Sequence, residues 1–202
     1  MESVAANLGG EDPRLIDEDR LESDSGYRYD YVTDFMDFSE ADMVAVSSLK
    51  SALAPQIPDI VDRVFDKLFS YDATMRHVLS AHSPQSSVEG DSLMDLEVDP
   101  DVLDYQKSEL GKSLRTLITS SREEGLATFI DKVGNYCTQL VSKSGSTVPH
   151  VQMDALLGLL ADVFKSAIFE LKLDREREIN SVRALGKFFW IQNNLLSRHY
   201  GY

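Results

Sequence analysis

The chain has 202 residues, 43% of them hydrophobic, which suits one globular domain with a substantial core. Its formal net charge of −14, with no clustered Lys and Arg, argues against nucleic acid as a partner, because phosphate binding needs a basic patch. The single cysteine leaves no internal disulfide, no apolar run reaches the ~18 residues of a membrane span, and the acidic N-terminus does not read as a secretory signal, so a reducing, cytoplasmic setting away from membranes is expected.

Residues 1–28 are acidic and lack apolar periodicity. Such a segment cannot offset its ordering entropy and reads as a disordered tail, leaving 29–202 as the domain. Ser39, followed by Glu40, Ala41 and Asp42, is a cap for a helix running to about Ala54. Pro55 and Pro58 interrupt it, and Pro58 with Asp59 begins a second helix. That helix carries Ile60, Val61, Val64, Phe65, Leu68 and Phe69 along one side. DATMRHVLS, from Asp72, reads as a short turn, and AHSPQSSVEGDS as a loop.

Asp99 and Pro100 open a helix to about Ser120 whose apolar face includes Leu103, Leu110 and Leu114. Another helix is expected from about Arg122 to Val141, with Phe129, Val133 and Cys137 on its apolar face. The last two helices are the longest. One starts at Pro149 and is apolar around much of its circumference; the other follows Asp174, with Glu176 and Glu178 near its positive end. The run LKLDRERE alternates sign and reads as a solvated helix start. No strand-like alternation occurs, so the fold is all-α.

Motifs for chemistry are few. The sequence has no phosphate loop, paired-cysteine site or zinc helix, and His77, His82, His150 and His199 offer no two ligands at one-helix spacing. Ser–His–acid combinations are unspecific in so acidic a chain, and Glu170 fits a solvated helix face. Phe188, Phe189 and Trp190 are consecutive, so their directions spread by about 200° and at least one must leave the core stripe.

Several strings carry a resemblance: YDYVTDFMDFSEADM, VFDKLFSYDATMRHVL, FIDKVGNYCT, HVQMDALLGLLADVF and the closing LDREREINSVRALGKFFWIQNNLLSRHY. They are similar to protoglobins, in particular the fungal branch of the globin-sensor group, over about residues 29–202. The resemblance implies a globin-like bundle with a haem pocket, a diatomic gas such as oxygen as ligand, and a homodimer through the last two helices. It places Phe65, Phe69, Leu114, Phe129 and Val133 on the pocket walls. The family's proximal histidine follows a Val-Gly pair by three residues; here Val133-Gly134-Asn135-Tyr136-Cys137 puts Cys137 in that place. Three readings stay open: Cys137 ligates the haem iron as thiolate, haem is held through another side chain, or a haem-free module keeps the fold with Cys137 as a small buried hydrophobe. Where some family members carry a distal tyrosine, Phe65-Asp66-Lys67-Leu68-Phe69 has none. A thiolate–haem enzyme is the least supported reading, for want of a distal acid–base pair.

Overall fold

The computed structural model describes residues 14–80, 100–119 and 148–200. These fold as nine α-helices with no strand among the described residues. They are α1 (Glu18–Ser23), α2 (Ser25–Phe35), α3 (Glu40–Ser48), α4 (Lys50–Leu53), α5 (Ile57–Leu68), α6 (Asp72–Ser80), α7 (Pro100–Thr119), α8 (His150–Glu170) and α9 (Arg175–Ser197). Short 3₁₀ turns follow α4 and α9.

Caps explain the helix starts. Ser39 Oγ accepts from the Asp42 N–H while Asp42 accepts from the Ser39 N–H, a reciprocal box that opens α3. The Asp174 carboxylate accepts from the Arg177 N–H at 3.0 Å and opens α9. Upstream, Asp24 closes α1 with its backbone and caps α2 with its side chain. Helix is therefore present from Glu18, within the segment set apart as tail, while residues 1–13 lie outside the described ones.

Two expectations need correcting. The helix from Ser39 does not run through to Ala54: α3 ends at Ser48, and α4 leads into a 3₁₀ turn at Ala54–Gln56, where Pro55 withholds an N–H. The segment from Asp72 is a helix rather than a turn. Thr74 Oγ1 donates to the Leu68 and Tyr71 carbonyls, and Arg76 pairs with Asp72 one turn away at 2.8 Å, so the start of α6 is tied down locally.

The core lies around α9, which packs on α8, α3 and α2, while α5 packs on α7 and α8. Phe164, Ile168, Leu185, Phe188, Ile191 and Leu195 are all at most 1% exposed. The Phe164 and Phe189 rings meet at 5.8 Å, and Phe188 meets Phe189 edge-on at 6.0 Å. Of the three consecutive aromatics, the two phenylalanines enter the core and Trp190 stays 65% exposed. Among the described residues no helix is long and apolar enough to cross a membrane.

Candidate functional site

The α5–α7 contact holds the described part of the expected pocket wall. The apolar side of α5 is buried through Ile57, Ile60, Val61, Val64 and Phe65 because its charged residues Asp62, Arg63, Asp66 and Lys67 fall on the other side. Phe65 is 5% exposed and Leu114, on α7, 3%. Both belong to one hydrophobic cluster, against which half-buried Phe69 packs. The Phe65 and Phe69 rings lie 6.2 Å apart with planes 25° from parallel. Lys107 Nζ sits 5.8 Å above the Phe65 ring and is held there by Asp62 at 2.7 Å. The structure thus brings together Phe65, Phe69 and Leu114, an apolar surface with one paired cation at its rim. Phe129, Val133 and Cys137 lie outside the described residues.

A second cluster joins the start of α8 to the end of α9. His150 Nε2 lies 3.2 Å from Ser197 Oγ and 3.4 Å from Asp154 Oδ1, and the His150 ring meets the Tyr200 ring at 4.9 Å. Its composition is that of a nucleophile triad, but its geometry is not. Both oxygens address the same ring nitrogen, whereas a relay needs the acid on the other one. Ser197 also donates its proton to the Asn193 carbonyl at 2.8 Å. The cluster is a tie between two helix ends. Sequence gave no hint of it, because His150 and Ser197 are 47 residues apart.

A groove of about 400 Å³ runs between α8 and α9, lined by Leu157, Gly158, Ala161, Gly186, Phe189 and Trp190 among others. A Cβ added at Gly158 or Gly186 would meet nothing within 4 Å, so the two glycines leave an open notch beside the exposed indole. The spread of Phe188, Phe189 and Trp190 signalled the exposed aromatic; the notch had no signal in the sequence. No cluster of three potential metal-ligating side chains occurs among the described residues.

Comparisons with known proteins agree on the fold. The Protoglobin family model matches residues 25–201, beginning where α2 begins. The globin domain of the Geobacter sulfurreducens globin-coupled sensor is similar with a TM-score of 0.66 at 14% identity, over 86% of this chain and 97% of that one. No curated protein matches the chain.

Proposed function

We propose a function from one established premise: the chain belongs to the protoglobin family. The domain, taken as residues 29–202 with α1 and the start of α2 as an upstream extension, is a cytoplasmic globin-sensor-like module. It holds haem against the α5–α7 wall and binds a diatomic gas there. The observation that carries this reading is the wall itself. Phe65 and Leu114, buried, and Phe69, half-buried and nearly parallel to Phe65, offer the flat apolar contact that a porphyrin face requires. Lys107, the cation over the Phe65 ring, is already paired with Asp62. These residues fit the group.

Haem, when bound, supplies an iron centre with an open position for a gas ligand. The chain's own contribution is to exclude water and to choose the donor. Phe65 and Phe69 shed water from the α5 side. The α5 stretch from Phe65 to Phe69 carries no hydroxyl and its Lys67 lies on the exposed side, so the two phenylalanines offer a bound gas no hydrogen bond. Cys137, Phe129 and Val133 would close the opposite side, with the Cys137 sulfur in the donor place.

The test is an absorption titration with haemin on the wild type, Cys137→Ser and Cys137→His, read as ferric and ferrous–CO forms. The expected result is saturable binding with a thiolate-type ferrous–CO band in the wild type, lost in Cys137→Ser and converted to a histidine-type band in Cys137→His. A histidine-type band in the wild type would move ligation to another side chain. Unsaturable, featureless uptake by wild type and Cys137→His alike would sink the haem reading. It would leave the alternative, a haem-free interaction module, which the burial of Phe65 and Leu114 in the core cluster also suits.

The module is further read as a homodimer through α8 and α9. Trp190 and the Gly158–Gly186 notch share one face, as a two-fold interface requires of its knob and hole. Gly158→Leu or Trp190→Ala should shift sedimentation from dimer to monomer with helicity intact. A wild type that sediments as a monomer at micromolar concentration removes this part of the reading.

A further inference from the structure

The α8 side of the Trp190 groove carries two opposite charges, Asp154 and Lys165, eleven positions apart on one helix. That spacing is close to three whole turns, so both stand on one face, roughly 16 Å apart along the axis. Neither has a settled counter-ion within the protomer. Half-buried Lys165 makes no ion pair or hydrogen bond among the described residues. Asp154 has His150 Nε2 at 3.4 Å, a contact that is an ion pair only when the imidazole is protonated. Asp162, between the two in sequence, is exposed and does not line the groove.

This face is also ordered symmetrically about its own centre. Gly158 and Ala161, which line the groove too, share their midpoint with Asp154 and Lys165. The face therefore reads acid, small, small, base in one direction and base, small, small, acid in the other. Exposed Val151 precedes Asp154 by three residues and exposed Phe169 follows Lys165 by four, so each charge has an apolar neighbour on its outer side. Packing inside the protomer does not require the gap at Gly158, since an added Cβ would meet nothing within 4 Å. A surface whose charge order reverses about a midpoint complements a second copy of itself turned through a two-fold axis.

We infer that α8 of one copy packs antiparallel to α8 of the other, crossing at Gly158 and Ala161, with Asp154 of each copy paired to Lys165 of the other. Val151 of each copy then falls opposite Phe169 of the other. These apolar groups and Trp190 supply the strength of association. The two ion pairs, at a solvated rim, set the register instead. They reject the parallel two-fold arrangement, which would set Asp154 on Asp154 and Lys165 on Lys165. The pairing rests on the homodimer reading and adds the geometry by which two copies recognise each other.

The experiment is sedimentation equilibrium on the full chain as wild type, as Asp154→Lys, as Lys165→Glu, and as an equimolar mixture of the two variants, with circular dichroism on each. Either variant alone should dissociate about a hundredfold more readily than wild type, because both symmetric pairs turn repulsive at once. The mixture should regain a dimer of about wild-type strength, since each variant supplies the charge the other lacks. Should a reversal disturb the fold, Asp154→Asn and Lys165→Gln should each weaken the dimer by about tenfold, and their mixture should regain one of the two pairs. Variants that dimerise as tightly as a dimeric wild type overturn the inference and leave the homodimer standing. Variants that come apart yet fail to recombine overturn it as well, because the charges would then act within the protomer. A monomeric wild type removes the homodimer and the pairing together.

Discussion

Seen from α9, two sides of the molecule are joined by different forces. Toward α8 the buried part of the contact is apolar, made by Phe164, Ile168, Phe188, Phe189 and Leu195, with the His150–Ser197 tie at one end of it. Toward the N-terminal helices the contact is mixed: Val32, Val46 and Leu49 are buried, half-buried Tyr29, Tyr31, Met36, Phe38 and Ala45 pack against the same core, and polar ties cross beside them. Lys187 Nζ donates to the Asp37 carbonyl at 2.6 Å and to Asp42 at 2.9 Å, and Arg28 Nε to Asn194 Oδ1 at 2.7 Å. Asp37 itself is held at φ 49°, a left-handed turn that ends α2, with Phe38 N–H reaching back to the Thr33 carbonyl. The buried apolar contact should therefore resist changes of pH and salt, and the polar ties should register them.

The largest effect tests the first half. Phe188→Ala should cost about 3–5 kcal/mol, through lost transfer and a residual cavity. Urea denaturation should show the same cost at neutral and mildly acid pH; a loss below about 1 kcal/mol would mean that this side is not the core.

Next comes Lys187→Met, expected to cost about 2 kcal/mol at neutral pH because it strands Asp42, whose side chain is only 17% exposed. Burial pushes the Asp42 carboxyl up, but the Ser39 N–H, Lys187 and the Ser39 hydroxyl together outweigh it and hold the carboxyl below its ordinary 3.8. A depressed folded value means stabilisation that is fully present above pH 3.8 and is lost as pH falls through the lower, folded value. The Lys187→Met penalty should shrink over that same acid range and vanish in an Asp42→Asn background. A penalty flat with pH would place Lys187's role in packing of its stem.

Gln192 sharpens the contrast from within the buried face of α9. It is fully buried and neither amide atom has a hydrogen-bond partner. Gln192→Leu should therefore stabilise by about 1–2 kcal/mol, raising the denaturation midpoint; destabilisation would reveal a partner for the amide. The smallest effect is Ser39→Ala, about 1 kcal/mol through loss of the α3 cap, read as a drop in thermal midpoint.

Much of this was legible in the chain. Ser39 with Asp42, Pro100, and Asp174 are local signals, read within four residues of themselves, and each marks a helix start where expected. The faces carrying Phe65 and Leu114 follow from 3.6-residue periodicity, and both residues are buried. What failed was equally specific. The DATMRHVLS segment reads as a short turn, yet it is a helix in which Thr74 and the Asp72–Arg76 pair hold the first turn. The stop at Ser48 had no Gly or Pro to announce it.

Sequence alone, then, determined the helices and their inward faces, because hydrogen bonds four residues apart and a 3.6-residue period are properties of neighbours along the chain. Only the tertiary structure decided which surplus aromatic faces outward at Trp190, which carboxylate meets Lys187, and which histidine meets Ser197. Each of these depends on groups brought together from tens of residues apart, and no local rule encodes where a helix rotated in its packing will leave them.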